Sequence, residues 1–195
     1  MGFYYDKKVT VKSEESLYNT EVNGIKMVFK TDNGVFCKKY LDFGTKLLLE
    51  NYSESPLQGP ILDMCSGYGP VGVFLAKTTK EDIYMTEINE RAYNLSQKNL
   101  ELNNCKAHVY NGNLYEELPM IKFKNILVNP AIRAGKDIVF AIYEGAKERL
   151  MDGGALWVVI QKKQGAPSTI KKLEELFSSV SIVKRDAGYY IIEAK

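Results

Sequence analysis

The run ILVNPAIRAGK, residues 126–136, leaves a short apolar stretch through Asn129-Pro130-Ala131-Ile132 and enters a small basic loop. An amine conjugated to a purine ring is planar and poorly nucleophilic, so chemistry at such an amine needs acceptors that engage both N–H bonds. The Asn129 side-chain oxygen and the Pro130 carbonyl are two such acceptors. Pro130 fixes its own φ and keeps Asn129 out of helical geometry, so both oxygens are set before a base arrives. Ile132 then offers an apolar contact to a face of the base. In isolation the same residues read as a turn after a strand; their place in a sheet decides between the two.

A second group lies upstream. ILDMCSGYGPVGVFLA places Asp63 at the end of a strand, then Gly67, Gly69 and Gly72 with G-x-G-x-x-G spacing, then a helix. Glycines let the backbone turn sharply and lie against a ligand, while the helix start offers free N–H groups. Glu87 ends the next strand, where a carboxylate accepts the hydroxyl protons of a ribose. Together these describe a site for an adenosine-containing cofactor. A carboxylate just before the loop repels a pyrophosphate and suits a cationic amine, which favours S-adenosylmethionine over a dinucleotide. Asn113, in NGNLYEE, is placed to accept from an adenine amino group or to serve the Asn111-Gly112 turn.

These residues need a sheet to hold them. From Ile61 onward, strand-like runs (ILDM, DIYMTEI, AHVYNG, NILVN, ALWVVI) alternate with amphipathic stretches over 70–79, 89–103 and 133–150. Such alternation predicts βαβ units and a mostly parallel sheet with helices on both faces. Ligands in folds of this kind sit at the carboxyl edge of the strands, where Asp63, Glu87, Asn113 and Asn129 all fall. After a predicted helix over 168–178, VSIVKRDA and YYIIEA are separated by little more than Gly188, so they pair as an antiparallel hairpin. Ahead of the core, SLYNTEVNGIKMVFKT carries Asn23-Gly24 between alternating runs, which predicts an N-terminal hairpin, and a helix follows near 43–52.

The chain has 195 residues with 26 Lys and Arg, 24 Asp and Glu, and 45% apolar content, an ordinary globular balance. One domain is expected, with residues 1–55 as a hairpin and helix extension and 56–195 as the cofactor-binding core. No run approaches the roughly 20 apolar residues of a membrane helix, and the opening residues lack a signal-peptide core, which points to the cytoplasm. Cys37, Cys65 and Cys105 are odd in number and widely spaced, with His108 as the one histidine. Neither a zinc site nor a disulfide framework is expected, and a Ser or Cys hydrolase has no triad to draw on.

The pairing of LDMCSGYGPVG with NPAIRAGK, followed by WVVIQKKQGAPS and GYYII, resembles the small methyltransferase domain of bacterial 16S rRNA guanine-N2 methyltransferases, the RsmC-like proteins. The likeness runs over nearly the whole chain, including NGVFCKK and DFGTKLL. It implies a class I, Rossmann-like methyltransferase fold with a seven-stranded sheet, S-adenosylmethionine as donor, and transfer to an exocyclic guanine nitrogen in small-subunit RNA. Carried over to this chain, Asn129, Pro130, Ala131 and Ile132 are the catalytic turn. The cofactor pocket comprises Asp63, Cys65, Ser66, Gly67, Gly69, Glu87, Ile88, Asn113, Leu114 and Asn129. No metal is implied. Three positions depart from the family pattern: Cys65-Ser66 stands for Gly-Cys, Asn113 for a frequent Asp, and Ala131 for the second proline of Asn-Pro-Pro-Ile. Phe36 is expected near the adenosine or the target base, and Arg133, Lys136, Lys162 and Lys163 near RNA phosphates. Two other classes share these features. A noncatalytic RNA-binding or assembly factor would bind RNA without transfer, and a nicotinamide-dependent oxidoreductase would share the glycine loop.

Overall fold

A computed structural model describes residues 6–195. Two chain segments form β1 (Ser16–Val22) and β2 (Ile25–Thr31), an antiparallel hairpin closed by Asn23 at φ 49° and Gly24 at φ 80°. Positive φ at both positions is what the Asn-Gly pair predicts. Then come α1 (Phe43–Asn51), β3 (Ile61–Met64), α2 (Pro70–Thr78), β4 (Ile83–Glu87), α3 (Glu90–Leu102), β5 (His108–Asn111) and β6 (Phe123–Val128). The chain ends with α4 (Lys136–Arg149), β7 (Leu150–Gln161), α5 (Ala166–Leu176), β8 (Val180–Asp186) and β9 (Tyr189–Ala194).

The strands from β3 onward make one seven-stranded sheet in the order β5-β4-β3-β6-β7-β9-β8. The pairs among β5, β4, β3, β6 and β7 are parallel, and β9 joins β7 and β8 antiparallel. This is the Rossmann-like arrangement expected from the sequence, with the chain crossing over between β3 and β6. Strands β3 and β6 are buried along their whole length. Alternate residues of the central strands feed two cores, one around Phe29, Leu48, Ile61 and Trp157, the other around Leu62, Phe123, Tyr143 and Ile192.

Several boundaries differ from the sequence reading. β7 begins at Leu150, because Phe123 pairs with Leu150 and a register shift then brings Asn125 opposite Ala155. The helix expected over 133–150 starts at Lys136, since residues 132–134 form a single 3-10 turn closed by Gly135 at φ 107°. The last helix starts at Ala166 behind Gly165, and Ser168 Oγ donates to the Gly165 carbonyl at 2.9 Å. At the β8–β9 turn, Ala187 and Gly188 are both left-handed, at φ 45° and 81°, so the tight turn needs more than the glycine alone.

The hairpin does not join the large sheet. The exposed edge of β2 is instead paired by two side chains of α3. Asn99 accepts from the Lys30 N–H at 2.7 Å and donates to the Lys30 carbonyl at 2.9 Å. Asn103 does the same at Val28, at 3.1 and 2.7 Å. Four helical residues rise about 6.0 Å and two strand residues about 6.6 Å, so asparagines four apart on a helix match alternate residues of a strand. Asn99 also donates to the carbonyl of Tyr68 at 2.8 Å, which ties the hairpin to the glycine loop. Tyr18 and Tyr68 hydroxyls meet at 2.7 Å, and Phe29 packs edge-on against Tyr68.

Candidate active site

The carboxyl ends of β3, β4 and β6 open into a cavity of about 300 Å³. Asp63, Cys65, Ser66, Gly67, Glu87, Ile88, Asn113, Leu114, Asn129, Pro130, Ala131 and Phe36 all line it. Sequence separation between the first and last of these is bridged by parallel pairing, Asp63 lying opposite both Met85 and Leu127.

The glycine loop is braced by carboxylates. Gly67 N–H donates to Glu87 Oε2 at 2.7 Å, and Asn89 N–H to Glu87 Oε1 at 2.8 Å. Gly72 N–H donates to Asp63 Oδ2 at 2.8 Å. Gly67, at φ 57°, is open toward the cavity, whereas Gly69 and Gly72 are not part of its wall. A Cβ on Gly72 would lie 2.4 Å from Met85 Sδ, so this glycine serves the approach of α2 to β4. Gly69, at φ 99°, turns the chain into α2.

Cys65 stands at φ 59°, a left-handed conformation that suits glycine, and Leu114 at φ 52°. Such conformations cost about 1–2 kcal/mol for residues with a Cβ and gather where function fixes the backbone. Both side chains touch the cavity. Burial pushes the Cys65 thiol far up, with Glu87 and Asp63 adding to the effect, so it is a neutral wall. All three cysteines are free and half-buried, and no metal-holding cluster occurs among the described residues.

Electrostatics discriminate between ligands. The lining includes Asp42, Asp63 and Glu87 and no Lys, Arg or His. Burial raises the pKa of Asp63 well above the usual range against the opposing Gly72 N–H, and the Glu87 charge raises it further. Burial likewise raises Glu87, opposed by the N–H groups of Asn89, Gly67 and Ile88. A site of this sign resists a pyrophosphate and gains from a cation, which restores the ionised state of its carboxyls. Ser66 Oγ is buried without a partner among the described residues and stands in the same wall. The donor and acceptor set thus fits S-adenosylmethionine, with its ammonium, sulfonium and ribose hydroxyls, better than a dinucleotide.

The Asn129–Pro130 corner forms the opposite wall. Asn129 Nδ2 donates to Asp42 Oδ2 at 3.0 Å and to Thr45 Oγ1 at 2.9 Å. Asp42 is the N-cap of α1, its Oδ2 also accepting from Thr45 N–H at 2.9 Å. The amide nitrogen being held on that side, Oδ1 faces the other way. Among the described residues none donates to Asn129 Oδ1 or to the Pro130 carbonyl. Gly44 lets α1 close on β9, because a Cβ there would lie 2.7 Å from Tyr189 Cε1. Asp42 and Thr45 line the cavity and hold Asn129, a placement the sequence did not reveal, although the stretch DFGTKLL that contains them is part of the resemblance. Replacing Asp42 by Ala removes an N-cap worth about 1 kcal/mol. A drop in melting temperature of about 2–4 °C is expected by differential scanning fluorimetry.

The turn after the corner carries Ile132 and Arg133 into a neighbouring groove of about 330 Å³, shared with Phe36, Asp42, Asn129, Pro130, Gln161, Gln164 and Tyr189. Phe36 therefore borders both spaces. Lys136 is exposed and lies 4.9 Å from the Phe140 ring centre, while Lys162 and Lys163 are exposed beyond β7. None of these three lines either space. Asn113 Nδ2 is held by Glu116 Oε1 at 2.8 Å, which leaves its carbonyl oxygen as the available acceptor. The His108 ring stacks on Tyr84 at 4.6 Å and is absent from the cavity wall.

Comparison with known proteins agrees with this geometry. The chain is 46% identical over 195 residues to YbxB of Bacillus subtilis (strain 168), a protein described as uncharacterized, covering 98% of this chain and 97% of that one. It is 27% identical over 183 residues to ribosomal RNA small subunit methyltransferase C of Vibrio cholerae, covering 91% of this chain and 52% of the relative. Among solved structures it superposes on the T. thermophilus 16S rRNA N2 G1207 methyltransferase (RsmC) in complex with AdoMet and guanosine, with TM-score 0.83 and 26% identity, covering 93% of this chain and 50% of that one. The chain thus spans about half the length of the rRNA methyltransferases it matches. Residues 26–193 match the methyltransferase small domain, from the second hairpin strand to the last strand of the sheet, and the chain belongs to that family.

Proposed function

We propose that this protein transfers a methyl group from S-adenosylmethionine to the exocyclic N2 of a guanine in small-subunit rRNA. The observation that carries the reading is the pair of open acceptors, Asn129 Oδ1 and the Pro130 carbonyl, at the wall of a cavity lined by carboxyls and, among the described residues, by no basic side chain. When bound, S-adenosylmethionine supplies an electrophilic methyl on sulfonium, which departs as a neutral thioether. Asn129 and Pro130 accept the two N–H bonds of the guanine amine, localise its lone pair and point it along the line of transfer, and the methylated amine then releases one of its N–H protons to water. Asp63 and Ser66 hold the amino acid part of the donor, Glu87 its ribose and Asn113 the adenine amine, with Ile88 and Leu114 against the ring. Ile132 and Phe36 press on the acceptor base, and Arg133 meets a phosphate beside it. The RNA substrate of the T. thermophilus and V. cholerae relatives supports the choice of polymer.

Ala131 is the departure nearest the chemistry, and it favours a second reading in which RNA is bound with little transfer. Its φ of −71° lies within the range that proline fixes. Ala131→Pro should therefore fit without strain and stabilise the fold by about 0.4–1 kcal/mol through the unfolded chain. The same restraint on Pro130 is expected to raise turnover; an unchanged rate in a single-turnover assay would remove rigidity from the account. The function itself is tested by incubating radiolabelled methyl donor with small ribosomal subunits lacking the modification, and in parallel with naked 16S rRNA. Incorporation into either supports the proposal, and RNA binding without incorporation supports the second reading.

A further inference from the structure

Eight large apolar side chains stand exposed among the described residues, and the three aromatic ones, Phe36, Tyr40 and Phe43, fall within eight consecutive positions. Tyr40 is 65% exposed and Phe43 43%. Phe43 opens α1 and packs on Tyr189 with ring centres 5.4 Å apart. Tyr189 borders the groove beside Asn129 and pairs with Gln161 across β7 and β9. Phe43 and Tyr189 are in ring contact, Tyr189 and Phe36 border the same groove, and Tyr40 precedes Phe43 by three residues, which gathers an aromatic lip beside the site.

Cations surround it. Lys39 adjoins Tyr40 and Lys46 follows Phe43 by one helical turn, both exposed. Lys162 N–H donates to the Gly188 carbonyl at 2.8 Å, which puts Lys162 and Lys163 beside the turn that presents Tyr189. On β8, Lys184 is exposed and lies opposite Ile191, on the same face as Tyr189. Acidic groups nearby are fewer: Asp42, which caps α1 and is engaged by Asn129 and Thr45, Glu50, 3.7 Å from Lys46, and Asp186, paired with Tyr189. Five lysines against three carboxylates is a local excess of cations, where the whole chain has 26 against 24.

We propose that this lip binds single-stranded RNA, the nucleotides that flank the methylated base stacking on Tyr40 and Phe43 while the lysines meet their phosphates. Exposed rings offer faces to unstacked bases and nothing to a duplex, whose bases are already stacked. The substrate class is accordingly an unpaired or splayed segment, a loop or an assembly intermediate, and not a continuous helix. The choice of RNA as the polymer rests on the function proposed above.

The test is fluorescence anisotropy with a fluorescein-labelled single-stranded oligoribonucleotide of about 12 nucleotides and a blunt hairpin of the same composition. The native protein is expected to prefer the single strand. The double variant Tyr40→Ala/Phe43→Leu should weaken that binding by at least about tenfold, the worth of about one stacked base. Leucine in place of Phe43 keeps an apolar contact with Tyr189, and unchanged melting temperature and S-adenosylmethionine affinity show that the fold and cavity are intact. Lys39→Glu/Lys162→Glu should lower the slope of log affinity against log salt by about 1–2. Equal affinity for hairpin and single strand, or a double variant that binds like the native protein, overturns the lip. No RNA binding by a native protein that still methylates small subunits overturns it too, leaves the proposed function standing, and points to a protein surface there. Single-strand binding lost in the double variant, with no methyl transfer by native protein to any RNA, upholds the lip and refutes the function.

Discussion

Asn129→Ala is expected to lower methyl transfer by about 10²–10³-fold, the usual cost of removing one preorganised polar group from a site of charge development. S-adenosylmethionine affinity should fall by less than about tenfold, because the change removes at most one hydrogen bond to the donor. The asymmetry follows from the direction of the Asn129 amide. Its nitrogen is fixed by Asp42 and Thr45 at 3.0 and 2.9 Å, so its oxygen is available to the acceptor base without reorganisation. Asn129→Asp separates this account from a simple need for an oxygen atom. The new carboxylate keeps an acceptor but faces Asp42 Oδ2 with like charge and no N–H between them. Transfer should collapse in this variant also, and single-turnover kinetics with isothermal titration of the donor would measure both quantities. An Asn129→Asp protein with native turnover would show that the hold by Asp42 is irrelevant.

Asp63 gives the second large effect. Its carboxyl titrates well above the ordinary range in the ligand-free protein, chiefly through burial. The folded chain then keeps a proton that the unfolded chain releases near the ordinary Asp value of about 3.9. Stability from this group is complete below that value and is lost as the pH rises through the higher folded pKa. This loss opposes the gain from Glu14, Glu15, Asp32 and Glu81, whose carboxyls are held below the usual range by their partners, so it is read as a difference between proteins. Melting of the ligand-free native protein relative to Asp63→Asn should fall as pH rises from the acid side, and Glu87, raised by the same cause, contributes in the same direction in both proteins. Donor binding runs the opposite way. A cationic ammonium favours the ionised carboxyl, so binding releases a proton and affinity climbs with pH. Calorimetry in buffers of different ionisation enthalpy reads that proton directly. Asp63→Asn should lose the release and weaken binding by roughly 10- to 150-fold, the range of a charge-assisted hydrogen bond.

What the sequence carried well was local. Asn23-Gly24 specified its turn because positive φ is a property of two adjacent residues. The order of strands and helices from Ile61 to Ala194 followed from periodicity, and with it the clustering of Asp63, Glu87, Asn113 and Asn129 at one sheet edge. What it did not carry was reach. Asp42 meets Asn129 across 87 positions, and Asn99 meets Lys30 across 69. A helix asparagine that completes a strand edge has the same composition signal as one that faces water.

Boundaries failed for a related reason. The strand-like run ALWVVI starts at Ala155, yet β7 extends back through Gly153 and Gly154 to Leu150 because β6 supplies a partner there. Lys124 shows the limit of charge patterning. It is 1% exposed in a central strand, with Glu54 at 2.5 Å and Glu81 at 3.0 Å. Its amine keeps a raised pKa because those two carboxylates outweigh its desolvation. Neither partner is near it in sequence. The glycine spacing does not say which glycine does what: Gly67 walls the cavity, Gly69 turns the chain into α2, and Gly72 lets α2 approach Met85.

The central claim is that two oxygens of the Asn129–Pro130 corner choose the atom that is methylated. Nucleoside mass spectrometry of RNA labelled by the native protein tests it most directly. The account predicts N2-methylguanosine as the labelled product, with Asn129→Ala yielding a small residue of the same nucleoside. Label on a ring nitrogen, on a ribose hydroxyl or on a base without an exocyclic amine would contradict it, because no such acceptor has two N–H bonds for those oxygens to hold.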